Sequence, residues 1–172
     1  MNTYIILLRG VNVGGKNLLP MKALKSLLEN SGFKAVSTYI QSGNLVLMGS
    51  KNPSLEVKEL IQSEFGFTPE VLALSEKEFN LSVANNPYPE HEGKTVHFYF
   101  CTGTPKINNA KLEGVASETE SYKLVGKVFY LHAPNGIGRS KLVASIESCL
   151  GVSATGRNLN TINKLAEMVH NA

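Results

Sequence analysis

The sequence contains no aspartate, few arginines and only two cysteines. Cys101 and Cys149 lie far apart and form no CxxC pair, so neither a disulfide framework nor a zinc knuckle nor a dithiol redox site has support. A carboxylate-rich metal site would have to be built from glutamates alone, and the four histidines show no metal-ligand spacing. We therefore predict no bound metal, no cofactor, and two buried free thiols in a cytoplasmic protein.

Long hydrophobic runs are also absent. The apolar stretch at residues 4–8 is too short for a signal sequence or a membrane span and is typical of a strand. The composition, 42% hydrophobic and 18% charged, indicates a globular protein with a packed core and no membrane partner. The net charge of +3 permits an anionic partner, either a small molecule or a nucleic acid, without requiring one. The oligomeric state remains open.

Hydrophobic periodicity and turn signals predict two successive β-α-β-β-α-β patterns. In the first, we expect a strand at 3–8, a helix from Met21, a hairpin around residues 42–44, a helix at 53–65 and a strand at 70–74. The helix at 53–65 is expected to turn Leu55, Leu60 and Ile61 inward. Ser75 and Glu78 have capping-box spacing at the start of a connecting helix at 75–86.

The second pattern repeats this order. We predict a strand at 96–101, a short helix at 107–114, a hairpin of 122–125 with 128–132, a helix at 140–150, a strand at 152–155 and a terminal helix at 159–169. The predicted fold class is α+β, a tandem duplication of two ferredoxin-like units with a connecting and a C-terminal helix. The predicted domains are residues 1–86 and 87–172. In the usual strand order 4-1-3-2, the loop after the first strand lies beside the hairpin turn at 41–44, and residues 156–158 gather with the loop before Ser140.

The loop at residues 10–17, GVNVGGKN, fits the G-x-x-x-x-G-K pattern but has Asn17 where a phosphate-binding loop needs Ser or Thr. The following helix begins only near Pro20, so we reject a nucleotide-hydrolysing P-loop. Arg9 and Lys16 with the loop amides remain candidates for holding an anion, weighed at near parity against a structural loop.

The segment NGIGRSK at 135–141 is the better anion-site candidate, because Arg139, Ser140 and Lys141 open a predicted helix. A capped helix start with solvated charges is the competing interpretation. The segment 135–141 has one glycine too few for the fingerprint of a dinucleotide-binding loop. Ser140 has no nucleophile-elbow motif around it, so the catalytic residues remain unassigned.

Further candidate ligand contacts come from polar turns. Arg157 offers another guanidinium in a loop before the last helix, with Asn158 a plausible cap, and the alternative for Arg157 is pairing with a glutamate. The other candidates are Asn12, Gln41, Ser42 and Asn44, for each of which turn chemistry is the safer explanation.

His97, Tyr99, Tyr130 and His132 offer a stacking surface for RNA if they share one sheet face. The RNP1 pattern is missing, and the same alternation is explained by a core face and a face covered by the other half. We favour the second interpretation.

The blocks LLRGVNVGGKN, TYIQSGN, GRSK and TGRNLNTINKL, in this order and spacing, closely resemble the bacterial family called domain of unknown function 1697. The resemblance covers essentially the whole chain. It implies a two-part ferredoxin-like duplication and no particular activity. An aromatic commonly follows the Arg-Asn pair in that pattern, where this chain has Leu159.

Our leading functional hypothesis is a protein that binds a phosphate-bearing or other anionic ligand, with a nucleotide or nucleic acid among the candidates, through its basic loops. One alternative is an enzyme acting on a small anionic metabolite in a cleft between the halves, with Lys16 or a histidine as acid or base. The other is a protein-interaction or homo-oligomer module with no small-molecule site.

Overall fold

The computed structural model describes residues 1–172, which divide into two compact units. The first comprises Met1–Leu81 with Asn163–Ala172, and the second comprises Ser82–Ile162. Each sheet is antiparallel and four-stranded, so the fold is mixed α+β with two similar halves. The division into domains between residues 86 and 87 stays a prediction.

The first unit follows the predicted β-α-β-β-α-β order. Its elements are β1 (Asn2–Arg9), α1 (Met21–Asn30), β2 (Lys34–Tyr39), β3 (Asn44–Gly49), α2 (Ser54–Phe65) and β4 (Glu70–Ser75). The strands lie in the order β2-β3-β1-β4, which is the predicted 4-1-3-2 arrangement. α3 (Glu76–Ala84) follows, and its capping box is confirmed, because the Ser75 N–H donates to Glu78 Oε1 at 3.0 Å while Ser75 Oγ accepts from the Glu78 N–H at 3.1 Å.

The core of the first unit lies between the sheet and its two helices. Ile6 and Leu8 on β1 alternate toward it, and α1 supplies Leu24 and Leu28. The expectation that Leu55 points inward is wrong, since it is 66% exposed. Helical spacing explains the error: the buried residues of α2 are Val57 and Ile61, four positions apart, and a residue two positions before Val57 lies on the opposite face.

The turn between β2 and β3 depends on Gly43. Its φ of +91° is in the left-handed region, and a Cβ there would lie 2.7 Å from Leu8 Cβ. The close approach lets the Leu8 N–H donate to the Gly43 carbonyl at 2.8 Å. The hairpin turn is thereby held against the end of β1, where the candidate loop begins.

The second unit repeats the order after a 3-10 turn at Gly93–Thr95. Its elements are β5 (Val96–Cys101), α4 (Asn109–Val115), β6 (Ser121–Val125), β7 (Val128–His132), α5 (Lys141–Ala144), α6 (Ile146–Leu150) and β8 (Ala154–Asn158). The strand order β6-β7-β5-β8 matches that of the first sheet. The last helix is α7 (Leu159–His170). None of the helices combines the length with the apolar character that crossing a membrane requires.

Two boundaries in the second unit differ from the predictions. The helix expected at 140–150 is two short helices separated at Ser145, whose carbonyl accepts a hydrogen bond from Ser148 Oγ at 3.0 Å. The last strand begins at Ala154 and continues through Asn158, so residues 156–158 form strand rather than loop. Pairing with β5, from Cys101↔Ala154 to His97↔Asn158, extends the strand beyond its local turn signals.

The strand register separates the four aromatic residues that we considered as one surface. Phe98 pairs with Tyr130 and Val96 with His132, so Tyr130 and His132 share a face with the even-numbered residues of β5. His97 and Tyr99 lie on the other face, where Tyr99 packs into the core beneath the helices. Because direct antiparallel partners share a face, a single stacking surface of all four residues is ruled out.

Candidate anion-binding site

The loop after β1 is held beside the hairpin turn, as the strand order predicts. Asn12 joins them: its Nδ2 donates to the Gln41 carbonyl at 2.8 Å and to the Leu19 carbonyl at 3.0 Å. Its Oδ1 accepts from the Leu19 N–H at 2.7 Å. The Asn12 side chain is therefore used within the protein, in the manner of a turn-closing amide.

The other amides at this edge have the same role. Asn17 Nδ2 donates to the Gly10 carbonyl at 3.0 Å. The fully buried Asn44 donates through Nδ2 to the Tyr39 carbonyl at 3.0 Å and to Ser42 Oγ at 2.9 Å. These side-chain amides therefore stabilise their own turns, and no ligand is needed to explain their presence.

The two candidate cations of the first unit, Arg9 and Lys16, differ in their surroundings. Arg9 Nη1 lies 3.1 Å from Glu70 Oε2, and the paired strands β1 and β4 place the two residues opposite each other. Lys16 is exposed in a turn closed by the bridge between Val13 and Lys16. The Arg9 guanidinium is thus already engaged by a carboxylate, which lowers its value as an anion ligand.

The second unit contains a cavity of about 370 Å³ beside the predicted basic segment. Two stretches of chain line it, one at the end of α4 and the turn before β6, the other in the loop before α5. The lining residues are Gly114, Val115, Ala116, Ser117, Glu120, Asn135, Gly136, Arg139, Ser140 and Lys141. The volume is within the range of small-molecule sites.

Ser140 lies at the junction of the two stretches. Its Oγ caps α5 by accepting from the Val143 N–H at 3.2 Å, which confirms the predicted cap, and it donates to Glu120 Oε2 at 2.5 Å. Glu120 Oε1 accepts from the Ser117 N–H at 2.8 Å. The carboxylate therefore fixes the hydroxyl in place, and its own charge is stabilised by two donors.

The cations of this cavity are not neutralised within the chain. Neither Arg139 nor Lys141 forms an ion pair in the structure, although both border the same cavity as Glu120. The effect of Glu120 extends to Tyr99, since burial, followed by repulsion from this carboxylate, raises the pKa of Tyr99 to about 12. The cavity thus combines two available cations with a carboxylate that is held apart from them.

Arg157 does not line the cavity. It lies on β8 opposite Phe98, on the sheet face away from Tyr99, and its Nη1 donates to the Gly156 carbonyl at 2.9 Å. Burial lowers the pKa of Arg157 to about 10, so the side chain stays protonated at neutral pH. Asn158 is confirmed as the cap of α7, because its Oδ1 accepts from the Thr161 N–H at 3.0 Å. The expected gathering of residues 156–158 with the Ser140 loop does not extend to this cavity.

Glu120 is the site residue that the sequence interpretation missed. The four residues SETE at 117–120 have the S-x-x-E spacing of a capping box. One half of that pattern is present, the bond from the Ser117 N–H to Glu120, while the other oxygen of Glu120 accepts from Ser140 instead. No group of three or more histidine, cysteine or acidic side chains is placed to hold a metal ion.

Comparisons with known proteins identify a family and a fold. The model of the family described as "Protein of unknown function (DUF1697)" matches residues 1–130. Among solved structures, the chain is similar to a conserved bacterial protein from Streptococcus pneumoniae, with 24% sequence identity and a TM-score of 0.70 over 97% of this chain and 98% of that one. No curated protein matches the sequence. The structural likeness supports the fold and carries no ligand or reaction.

Proposed function

The chain belongs to the family of DUF1697 proteins, whose description names no activity, and we propose from its geometry that it binds a small phosphate-bearing or other anionic ligand in the second unit. The observation that carries this proposal is the cavity in which Arg139 and Lys141 lie without an ion-pair partner. Both cations are exposed, so an anion from solution can reach them. Ser140 and the Asn135 amide add hydrogen-bonding groups at the same wall.

The arrangement of the cavity favours a ligand over a merely solvated basic loop. Asn135 Nδ2 donates to Thr119 Oγ1 at 3.3 Å, so the cationic loop is tied to the turn that bears Glu120. Together with the bond between Ser140 and Glu120, this gives two cross-links between the lining stretches. A preorganised wall loses less conformational entropy when a ligand binds, which is the condition for selective recognition by few contacts.

Calorimetric titration with inorganic phosphate, phosphorylated metabolites and nucleotides tests the proposal at low salt. Arg139→Lys should weaken binding by about 1–3 kcal/mol, because lysine cannot replace a bidentate guanidinium. The urea midpoint should not change, since Arg139 makes no internal ion pair. Lys123→Ala is the matched control, as it removes an exposed cation from β6 outside the cavity. Unchanged affinity together with lost stability would make Arg139 a structural residue.

Salt dependence distinguishes a small ligand from a nucleic acid. A single phosphate held by two cations gives a shallow dependence of affinity on salt, whereas an oligonucleotide contacting many cations gives a steep one. We expect the shallow dependence, because the cavity contains only Arg139 and Lys141 as cations. A steep dependence would mean that the basic residues act together on a polyanion.

An interaction module is the second candidate, and exposed apolar residues of the first unit favour it. Val13 and Leu18 are each 65% exposed in the loop after β1, and Ile40 is 50% exposed in the neighbouring hairpin turn. Ile40 also has a φ of 50°, a strained conformation for a β-branched residue. The absence of any response to the ligand panel would support this candidate over the anion site.

We further propose that both units are ferredoxin-like and arose by duplication. The support is the shared β-α-β-β-α-β order and the identical strand arrangement in the two sheets. The cytoplasmic location also stays a proposal. Its support is that Cys101 and Cys149 are both buried and unpaired, as is typical of proteins from reducing compartments.

A further inference from the structure

The cavity of the second unit contains a carboxylate as well as cations, and this combination bears on which anions it accepts. Glu120 lines the cavity with Arg139 and Lys141 but pairs with neither. Its two oxygens accept instead from the Ser117 N–H at 2.8 Å and from Ser140 Oγ at 2.5 Å. The negative charge is therefore part of the wall and is fixed by the fold.

A fixed carboxylate in a cavity that binds anions is unfavourable for a plain anion. Glu120 is half-buried, and it lines the same open pocket as the exposed Arg139 and Lys141. Like charges that lie in one pocket repel each other. For a ligand that is anionic at every polar end, repulsion by Glu120 would cancel part of the binding free energy that it gains at Arg139.

A carboxylate that accepts one donor at each oxygen still has acceptor capacity. Each oxygen has a second lone-pair direction, so Glu120 can accept another hydrogen bond from a ligand without releasing Ser117 or Ser140. An ammonium group is the donor that also removes the charge conflict. Val115 and Ala116 add small apolar side chains to the lining, against which a short carbon chain can lie.

We infer that the ligand is a zwitterion: a small molecule whose phosphate or carboxylate lies against Arg139 and Lys141 and whose protonated amine lies against Glu120. This inference rests on the proposed anion site and names its substrate class. The pocket contains both a carboxylate and two cations that do not pair with it, and such a molecule carries one charge of each sign. Ethyl phosphate and 2-aminoethyl phosphate are suitable probes, because they differ only in the terminal group that would face Glu120.

Calorimetric titration of the wild-type chain with the two probes gives the first test. We expect 2-aminoethyl phosphate to bind about tenfold more tightly than ethyl phosphate, as one charge-assisted hydrogen bond would provide. Equal affinities would overturn the zwitterion inference while leaving the anion site standing. If neither probe binds, nor any other anion, the proposed function fails and the inference fails with it.

Glu120→Gln gives the second test, and its effects on the two probes have opposite signs. Glutamine keeps an oxygen for the Ser117 N–H, and its amide NH2 can donate to Ser140 Oγ in place of the bond that Ser140 now donates. The wall should therefore persist while the negative charge is removed. Ethyl phosphate should then bind more tightly than to the wild type, and 2-aminoethyl phosphate should lose its tenfold advantage. Glu118→Gln is the matched control, because Glu118 is exposed and does not line the cavity. A tenfold preference that survives in Glu120→Gln would refute the assignment of the amine to Glu120.

Discussion

The methyl group that distinguishes alanine from glycine has no room at position 156. Gly156 on β8 pairs directly with Tyr99 on β5, and a Cβ there would lie 2.6 Å from Cε1 and 2.9 Å from Cδ1 of the tyrosine ring. Tyr99 is only 7% exposed, and its ring centroid lies 6.4 Å from those of both His97 and Phe129. The ring therefore cannot move aside without disturbing the core.

Two opposing terms set the size of the effect of Gly156→Ala. Overfilling a packed site costs about 1–3 kcal/mol. Alanine in a strand stabilises the folded state by about 0.5–1 kcal/mol relative to glycine, because it loses less backbone entropy on folding. The free energy of unfolding should accordingly fall, by up to about 2.5 kcal/mol. Urea denaturation followed by circular dichroism measures this change, provided that the m-value is preserved.

A control and a second variant make this prediction refutable. Gly103→Ala places its Cβ no closer than 3.9 Å to any neighbour, so stability should stay within about 0.5 kcal/mol of the wild type. When Tyr99 is also replaced by leucine, the Gly156→Ala change should no longer destabilise, which would appear as a coupling energy between the two sites. Additive effects in this cycle would show that the ring contact is not the cause.

Two further predictions concern buried polar groups of the second unit. Burial lowers the pKa of His97, whose Nε2 has no hydrogen-bond partner, so the folded state keeps it neutral while the unfolded chain takes up a proton near its ordinary 6.5. The free energy of unfolding should reach its full value above that pH and decrease as the pH falls below it. His97→Asn should therefore flatten the dependence of the urea midpoint on pH. A smaller slope should remain from His132, whose pKa is also lowered by burial. An unchanged slope in the variant would exclude His97 as the source. Tyr130→Phe removes a buried hydrogen bond of 2.6 Å from the phenol to the Ser82 carbonyl. In the same assay the free energy of unfolding should fall by about 1–2 kcal/mol. A loss below about 0.3 kcal/mol would mean that another donor satisfies the carbonyl.

The elements that sequence reasoning predicted well are those whose signals are local. Periodicity placed the helix beginning at Met21, and the capping pair Ser75 and Glu78 marked the start of α3. The order of elements then led to the strand arrangement and to the contact of the loop after β1 with the turn at Gln41. In each case residues close in the chain determine the geometry, or a general rule of connection does.

The elements that were missed depend on contacts between distant residues. Residues 156–158 look like a loop, yet pairing with β5 makes them strand, and the match of Gly156 to the Tyr99 ring is invisible until the register is known. The bond from Ser140 to Glu120 joins residues 20 positions apart. No local rule predicts which hydroxyl a carboxylate will reach, so the anionic member of the candidate site emerged only from the fold.

The two units have the same strand order but differ in whether their candidate cations form ion pairs. This difference is the reason for placing the proposed anion site in the second unit. In the first unit the register of β1 and β4 places Arg9 opposite Glu70, and the pair forms across the sheet. In the second unit the available carboxylate, Glu120, is occupied by a hydroxyl and a backbone amide, so the neighbouring cations stay available. A repeated fold does not repeat its function, because function resides in side chains placed upon it. Titration should accordingly respond to substitution of Arg139 and leave the affinity unchanged when Arg9 is replaced, since a cation already matched by a carboxylate has little attraction left for a ligand.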